Sequence, residues 1–213
     1  MTQITQRRAG RPRKAVLDRA RIGQAALDLV DETGDFTLPA LARSLGVQPA
    51  SLYHHVDGRS GVVELLREQV AEAMDPTALD DEPWDVALAG FFRSYRAVFA
   101  AHPRVVPLLT TATVRSARVI EAYDRMVARL GDAGIPATKA MRILTALDNF
   151  VIGAALDLAA PEVMWEVPEG VEAPALSAAL AAQPSNRRRA DEAFEEGLTR
   201  LLDSVAHEFG VSQ

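Results

Sequence analysis

"LGVQPASLYHHV", residues 45–56, decides how this chain is read. Gly46 ends one apolar run, and Pro49 opens another three residues later. Tyr53, His54 and His55 then crowd into one turn of chain. A glycine accepts the left-handed backbone that closes a helix, and a proline fits a helix's first turn. The stretch therefore predicts a helix over 38–45, a tight turn, and a short helix over 49–55. Within the second helix Leu52 and Val56 point inward, leaving Ala50, Ser51, Tyr53, His54 and His55 on the open surface. Small residues let a helix approach base edges closely, while Tyr and His donate to phosphate oxygens. Such a helix suits a major groove.

Working outward, Leu38, Leu41, Ala42 and Leu45 keep helical spacing, with Thr37 as N-cap and Pro39 in the first turn. Upstream, Ile22, Ala25, Ala26, Leu29 and Val30 predict a supporting helix from Asp18 to the "ETGD" turn. Downstream, Val62, Leu65, Leu66 and Val70 predict a longer helix over about 60–74, with Arg59 just before it. Residues 1–16 carry Arg7, Arg8, Arg11, Arg13 and Lys14 and no acid. They form a basic arm suited to a phosphate backbone or minor groove, or a plain disordered tail.

Charge divides the chain. Residues 1–67 hold ten Lys/Arg against seven Asp/Glu, and the remainder 13 against 22, which gives +3 and −9 of the total −6. The basic front is the part that meets a polyanion. With 213 residues, 48% of them hydrophobic, the chain buries a substantial core. Cysteine is absent, which removes disulfides, thiolate catalysis and cysteine–zinc sites. No signal-like apolar stretch follows the basic start, and no apolar run approaches the ~20 residues of a membrane span. These features predict a cytoplasmic protein with no membrane partner.

After the connector "DPTALDDEPW", helical patterns run over 84–101, stopped by His102-Pro103, then about 115–130, 137–160 and 190–209. Residues 161–189 read as a long loop with room for one short helix. The fold class is all-α: an arm over 1–16, a three-helix helix-turn-helix domain over 17–74, and a larger helical domain over 75–213.

Residues 17–74, through "TLPALARSLGVQPASLYHHVDGRSGVVELL", resemble the DNA-binding domain of the TetR family of bacterial transcriptional regulators. The resemblance implies that helix 49–55 is the recognition helix. It implies phosphate contacts at Thr37 and Tyr53, and places His55 near phosphate or base edges. Arg59 stands where the family usually has a phosphate-binding lysine. Pro39, Ala50 and the "VDGRSG" turn depart from the pattern and leave the base sequence open. Residues 84–209 are more loosely similar to the regulatory domain, in its tetracycline-repressor-like branch. That implies a homodimer joined through the last two long helices, and a small-molecule pocket.

The DNA-binding candidates are therefore Arg11, Arg13, Lys14, Thr37, Ala50, Ser51, Tyr53, His54, His55 and Arg59. Polar and aromatic groups inside helical patterns give Phe92, His102, Tyr123, Met126, Asn149 and Trp165 as ligand candidates. Apolar residues on the last two long helices give Val151, Ala154, Leu158, Leu198, Leu201, Leu202 and Val205 as dimer candidates. Adjacent histidines do not share a helix face, and no phosphate-cradling loop, nucleophile elbow or zinc motif occurs, so neither metal, cofactor nor catalysis is expected. The reading is a ligand-released repressor on a palindromic operator. The alternative is a helical protein-binding or small-molecule-binding module without sequence-specific DNA binding.

Overall fold

The computed structural model describes residues 17–183 and 186–211, and among them ten α-helices and no strands. Helix α1 spans Arg19–Thr33, α2 Leu38–Leu45, α3 Pro49–Leu52 and α4 Gly58–Glu72. A 3₁₀ turn, Pro76–Asp80, leads to α5, Trp84–Ala101. A second 3₁₀ turn, Pro103–Val105, runs into α6, Val106–Thr110. Then follow α7, Ala117–Asp132, α8, Ala137–Ala159, α9, Pro174–Ala181, and α10, Arg188–Phe209.

Local chemistry sets the first three helices. Asp18 caps α1 by accepting from the Arg21 amide at 2.8 Å. Thr37 caps α2 through the Ala40 amide at 3.2 Å. Gly46 ends α2 at φ 68°. Its amide and that of Val47 return to Arg43 and Ala42 carbonyls, 3.1 and 3.0 Å away. The helix after this turn is shorter than the expected 49–55. Pro49 brings no amide, and the His55 and Val56 amides both close on the Leu52 carbonyl, at 2.9 and 3.0 Å. That shared acceptor bends the chain, so Tyr53–His55 form a turn and not helix.

Two cores result. In the first, Ile22, Ala26 and Val30 of α1 meet Leu41, Leu52, Val62, Leu65 and Leu66. The same cluster extends beyond α4 to Phe99, Val105, Val106, Leu109 and Ala155, which seats the N-terminal helices on α5, α6 and α8. The second core joins Leu88 and Phe92 of α5, Met126 and Leu130 of α7, Leu144 and Val151 of α8, and Phe194 and Leu198 of α10. Each fully buried side chain of this size contributes about 1.5–3 kcal/mol. Phe150 and Phe194 stack at 5.7 Å, and the ring of Phe150 lies where Gly197 leaves room: a Cβ there would sit 2.6 Å from it. Arg96 completes the joint, with Nη1 on Asp191 at 2.7 Å and its guanidinium 4.5 Å from the Phe194 ring.

Several sequence expectations change. The polar connector contains the 3₁₀ turn, because Leu79 and Trp84 anchor it in the second core. The 161–189 loop keeps to expectation: it carries one short helix, α9, none of whose residues is buried. Three dimer candidates, Val151, Leu198 and Leu202, are at most 4% exposed inside the protomer core, so they hold α8 and α10 together within one chain. Ala154, Leu158, Leu201 and Val205 are only half-buried.

Candidate DNA-reading turn and ligand cavity

The α2–α3 hairpin presents a continuous polar edge. Thr37, Ala50, Tyr53 and His54 are exposed, and Ser51 and His55 half-buried. Tyr53 is 60% exposed although it follows the wholly buried Leu52. Adjacent residues thus divide between core and solvent, and the short helix is pinned while its polar edge stays free. Arg19 steadies the turn from behind, donating to the His55 carbonyl at 3.1 Å.

Arg59 differs from its expected role. Its Nη1 donates to the Phe36 carbonyl at 2.5 Å, its Nη2 to Asp35 at 2.6 Å, and its guanidinium lies 4.4 Å from the Phe36 ring. The Arg59 bond holds the Asp35 carboxyl below the usual carboxylate range. Arg59 therefore tethers the turn before α2, an engagement that a free phosphate-binding side chain lacks. Arg11, Arg13 and Lys14 lie outside the described residues.

Between α4 and the C-terminal helices is a cavity of about 590 Å³. Arg67, Val70, Ala71 and Met74 supply one side. Phe91, Tyr95 and Phe99 supply another, four residues apart on α5 and so on one face. Leu109, Thr110 and Ala112 close the end near α6, Tyr123 enters from α7, and Thr145, Asp148, Asn149 and Ile152 from α8.

Two polar centres stand out. Arg67 is 8% exposed; its Nε donates to Glu64 at 3.2 Å and its Nη2 to the Leu109 and Ala112 carbonyls at 3.0 and 3.1 Å. Glu64 also accepts the Arg115 amide at 3.0 Å. This set joins α4 to the segment that walls the cavity. The second centre is Asp148, which accepts the Tyr123 hydroxyl at 2.5 Å through Oδ2. Its Oδ1 is buried with no hydrogen-bond partner. Burial raises the Asp148 carboxyl from 3.8 to about 6, only partly offset by the Tyr123 bond. Burial, then the Asp148 charge, also raise the Tyr95 and Tyr123 hydroxyls.

Of the six ligand candidates, Tyr123 and Asn149 line the cavity. Phe92 and Met126 do not: both are wholly buried in the second core. His102 lies at the C-terminal end of α5, its Nδ1 2.7 Å from Asp31 of α1, where it joins two helices. Beside it Arg104 donates to the Asp31 and Glu32 carbonyls at 2.9 and 2.6 Å. Trp165 is 62% exposed in the segment before α9. The residues missed were Arg67, Tyr95 and Asp148. The available signal was a charge inside an apolar helical pattern, as Asp148 between Leu147 and Phe150. Among the described residues no helix is long and apolar enough to cross a membrane, and no three His, Asp or Glu are grouped to hold a metal.

Residues 76–208 match the family model described as "Tetracyclin repressor-like, C-terminal domain". The chain is 31% identical over 192 residues to the tetracycline repressor protein class A from transposon 1721 of Escherichia coli, covering 86% of this chain and 88% of that protein. A solved structure of a possible TetR family transcriptional regulator from Streptomyces coelicolor A3(2) aligns with TM-score 0.73 and 27% identity, over 89% of this chain and 99% of that one. The fold is also that of Streptomyces coelicolor ActR in complex with actinorhodin, at TM-score 0.70 and 23% identity over 93% of this chain and 99% of that one. With the helix-turn-helix edge and the cavity in one molecule, these matches place the chain in the TetR family of ligand-responsive DNA-binding transcriptional repressors, which are regulators and not enzymes.

Proposed function

We infer that this chain acts in the cytoplasm as a homodimer that represses transcription from a palindromic operator, and that filling the cavity releases it. One observation carries the coupling. Helix α4 belongs to the core beneath the recognition turn, and it also lines the cavity through Arg67, Val70 and Ala71. A ligand that prefers one position of α4 shifts the population of recognition-turn positions by its differential affinity.

The DNA-binding unit is residues 17–74, preceded by the arm over 1–16 with Arg11, Arg13 and Lys14. Ala50, Ser51, Tyr53, His54 and His55 enter the major groove, and Thr37 meets a phosphate at its edge. Residues 75–213 bind ligand and dimerise. The dimer uses the half-buried Ala154, Leu158, Leu201 and Val205, together with the exposed segment holding Val163, Met164 and Trp165. Apolar area of that kind is normally covered by a partner. The effector is a flat, fused-ring molecule, because Phe91, Tyr95 and Phe99 line one side of the cavity with aromatic surface. Relatives named for tetracycline, and ActR solved with actinorhodin, agree with that shape.

The test is selection of bound duplexes from random DNA by the purified full chain. The expected product is a palindrome whose half-site centres lie about 10 bp, or a multiple, apart. Its affinity should fall steeply between low and moderate salt. A folded dimer that enriches no sequence in any ligand state would end this reading and favour a binding module without DNA specificity.

A further inference from the structure

The cavity's charges are not balanced, and this bears on what enters it. Five charged side chains line it: Arg67, Arg118, Glu121, Arg125 and Asp148. Arg67 donates to Glu64 and to two carbonyls. Arg125 pairs with Asp80 at 2.5 Å. Arg118 and Glu121 are exposed, of opposite sign, and one helical turn apart on α7. Asp148 remains. It is partly buried, accepts one hydroxyl, and forms no ion pair among the described residues. A carboxylate oxygen enclosed without a donor is unfavourable for the empty protein. A ligand that brings a charged donor removes that penalty and gains a charge-assisted bond.

The walls around Asp148 favour the same ligand. Tyr95 packs against Phe99 at 4.7 Å and against Phe91 at 6.3 Å between ring centroids. These faces attract an organic cation as well as a flat ring. A carboxylate beside aromatic faces would instead repel an organic anion.

Resting on the reading of this cavity as the effector site, we propose that the effector carries a protonated amine received by Asp148, with its ring system against Phe91, Tyr95 and Phe99. Tyr123 is the positioning residue: its hydroxyl holds Oδ2 and fixes the Asp148 carboxylate at the cavity wall.

Two probes with three fused rings and opposite charge test this: the cation proflavine and the anion anthraquinone-2-sulfonate. Binding to the full chain without DNA is measured by calorimetry and, for proflavine, by fluorescence. The wild type should bind proflavine at least about tenfold more tightly than the anion. Asp148→Asn should weaken proflavine by roughly ten- to a hundredfold and leave the anion unchanged or tighter. Unchanged proflavine binding in Asp148→Asn, equal or better binding of the anion, or binding of neither probe would overturn the proposal. Ile152→Trp, which fills the cavity from α8, separates the two readings. If proflavine still binds Ile152→Trp, the cavity itself is not the site. If Ile152→Trp abolishes binding while Asp148→Asn does not change it, the cavity stands and the amine falls. A thermal melt of each variant confirms that it is folded.

Discussion

Tyr53 and Tyr123 carry the same side chain in opposite settings. Tyr53 is 60% exposed at the end of a four-residue helix, beside the exposed His54. Tyr123 is partly buried and donates its hydroxyl to Asp148. The Tyr53–His55 turn keeps its polar side chains in water and its backbone pinned by Leu52. The cavity encloses polar atoms and leaves one of them unpaired. A rigid edge with free side chains suits a polyanion that brings its own charge. An enclosed space with an unmatched oxygen suits a small molecule that brings a donor. Four substitutions, in order of expected effect, would break or sharpen this contrast.

Arg67→Ala should be the most damaging. It removes a buried guanidinium and strands Glu64 together with the Leu109 and Ala112 carbonyls. Loss of one member of such a set costs about 3–5 kcal/mol. Urea unfolding should show that loss; a change below about 1 kcal/mol would mean the joint does not hold α4.

Asp148→Asn should act in the opposite direction. The native carboxyl sits near 6 against an ordinary 3.8, so its charged form is disfavoured in the fold. The cost is present above about pH 6 and is relieved as pH falls from 6 towards 4. At pH 7.5 the variant should be more stable by roughly 1–3 kcal/mol, and the gap to wild type should close by pH 4–5. The neighbouring Tyr95 and Tyr123 hydroxyls, both raised, stay neutral throughout that window. A gap independent of pH would show that Asp148 is not the titrating group.

Tyr53→Ala tests the exposed side of the contrast. Operator affinity should drop about tenfold, or ~1.4 kcal/mol, with the melting temperature unchanged. A large fall in melting temperature would mean that Tyr53 is structural. Thr37→Ala is the mildest change: loss of the cap on α2 costs about 1 kcal/mol, seen as a few degrees in the melt. Thr37→Ser should restore it.

The same contrast explains what the sequence made legible. Thr37, Gly46 and Pro49 act on their own neighbours, so a dozen residues suffice to place the hairpin. Trp84–Ala101 was bounded correctly because His102-Pro103 stops it locally. The cavity has no such local grammar. Arg67, Tyr95 and Asp148 come from three helices far apart in the chain and meet only when those helices pack. Within a helix, one residue is a turn of about 100°. Both Phe91 and Phe92 belong to the second core, and that rotation brings only Phe91 to the cavity wall. Asn149 was chosen from its pattern while its neighbour Asp148 holds the interior charge. Trp165 lies in a stretch without periodicity, where a large aromatic gives no direction, and it proves to be surface. Charge pairing is likewise non-local: Arg59 meets Phe36 and Asp35, 23 and 24 residues earlier, only in the folded chain.

Arg67 binds the Leu109 and Ala112 carbonyls through a single nitrogen, at 3.0 and 3.1 Å. A planar guanidinium does not stretch, and hydrogen bonds of this kind weaken sharply beyond about 3.5 Å. A relative shift of roughly half an ångström along that direction therefore loosens both bonds together. The Leu109 and Ala112 ends of the segment are thus held to α4 through one shared nitrogen, so a shift at that point is felt by both.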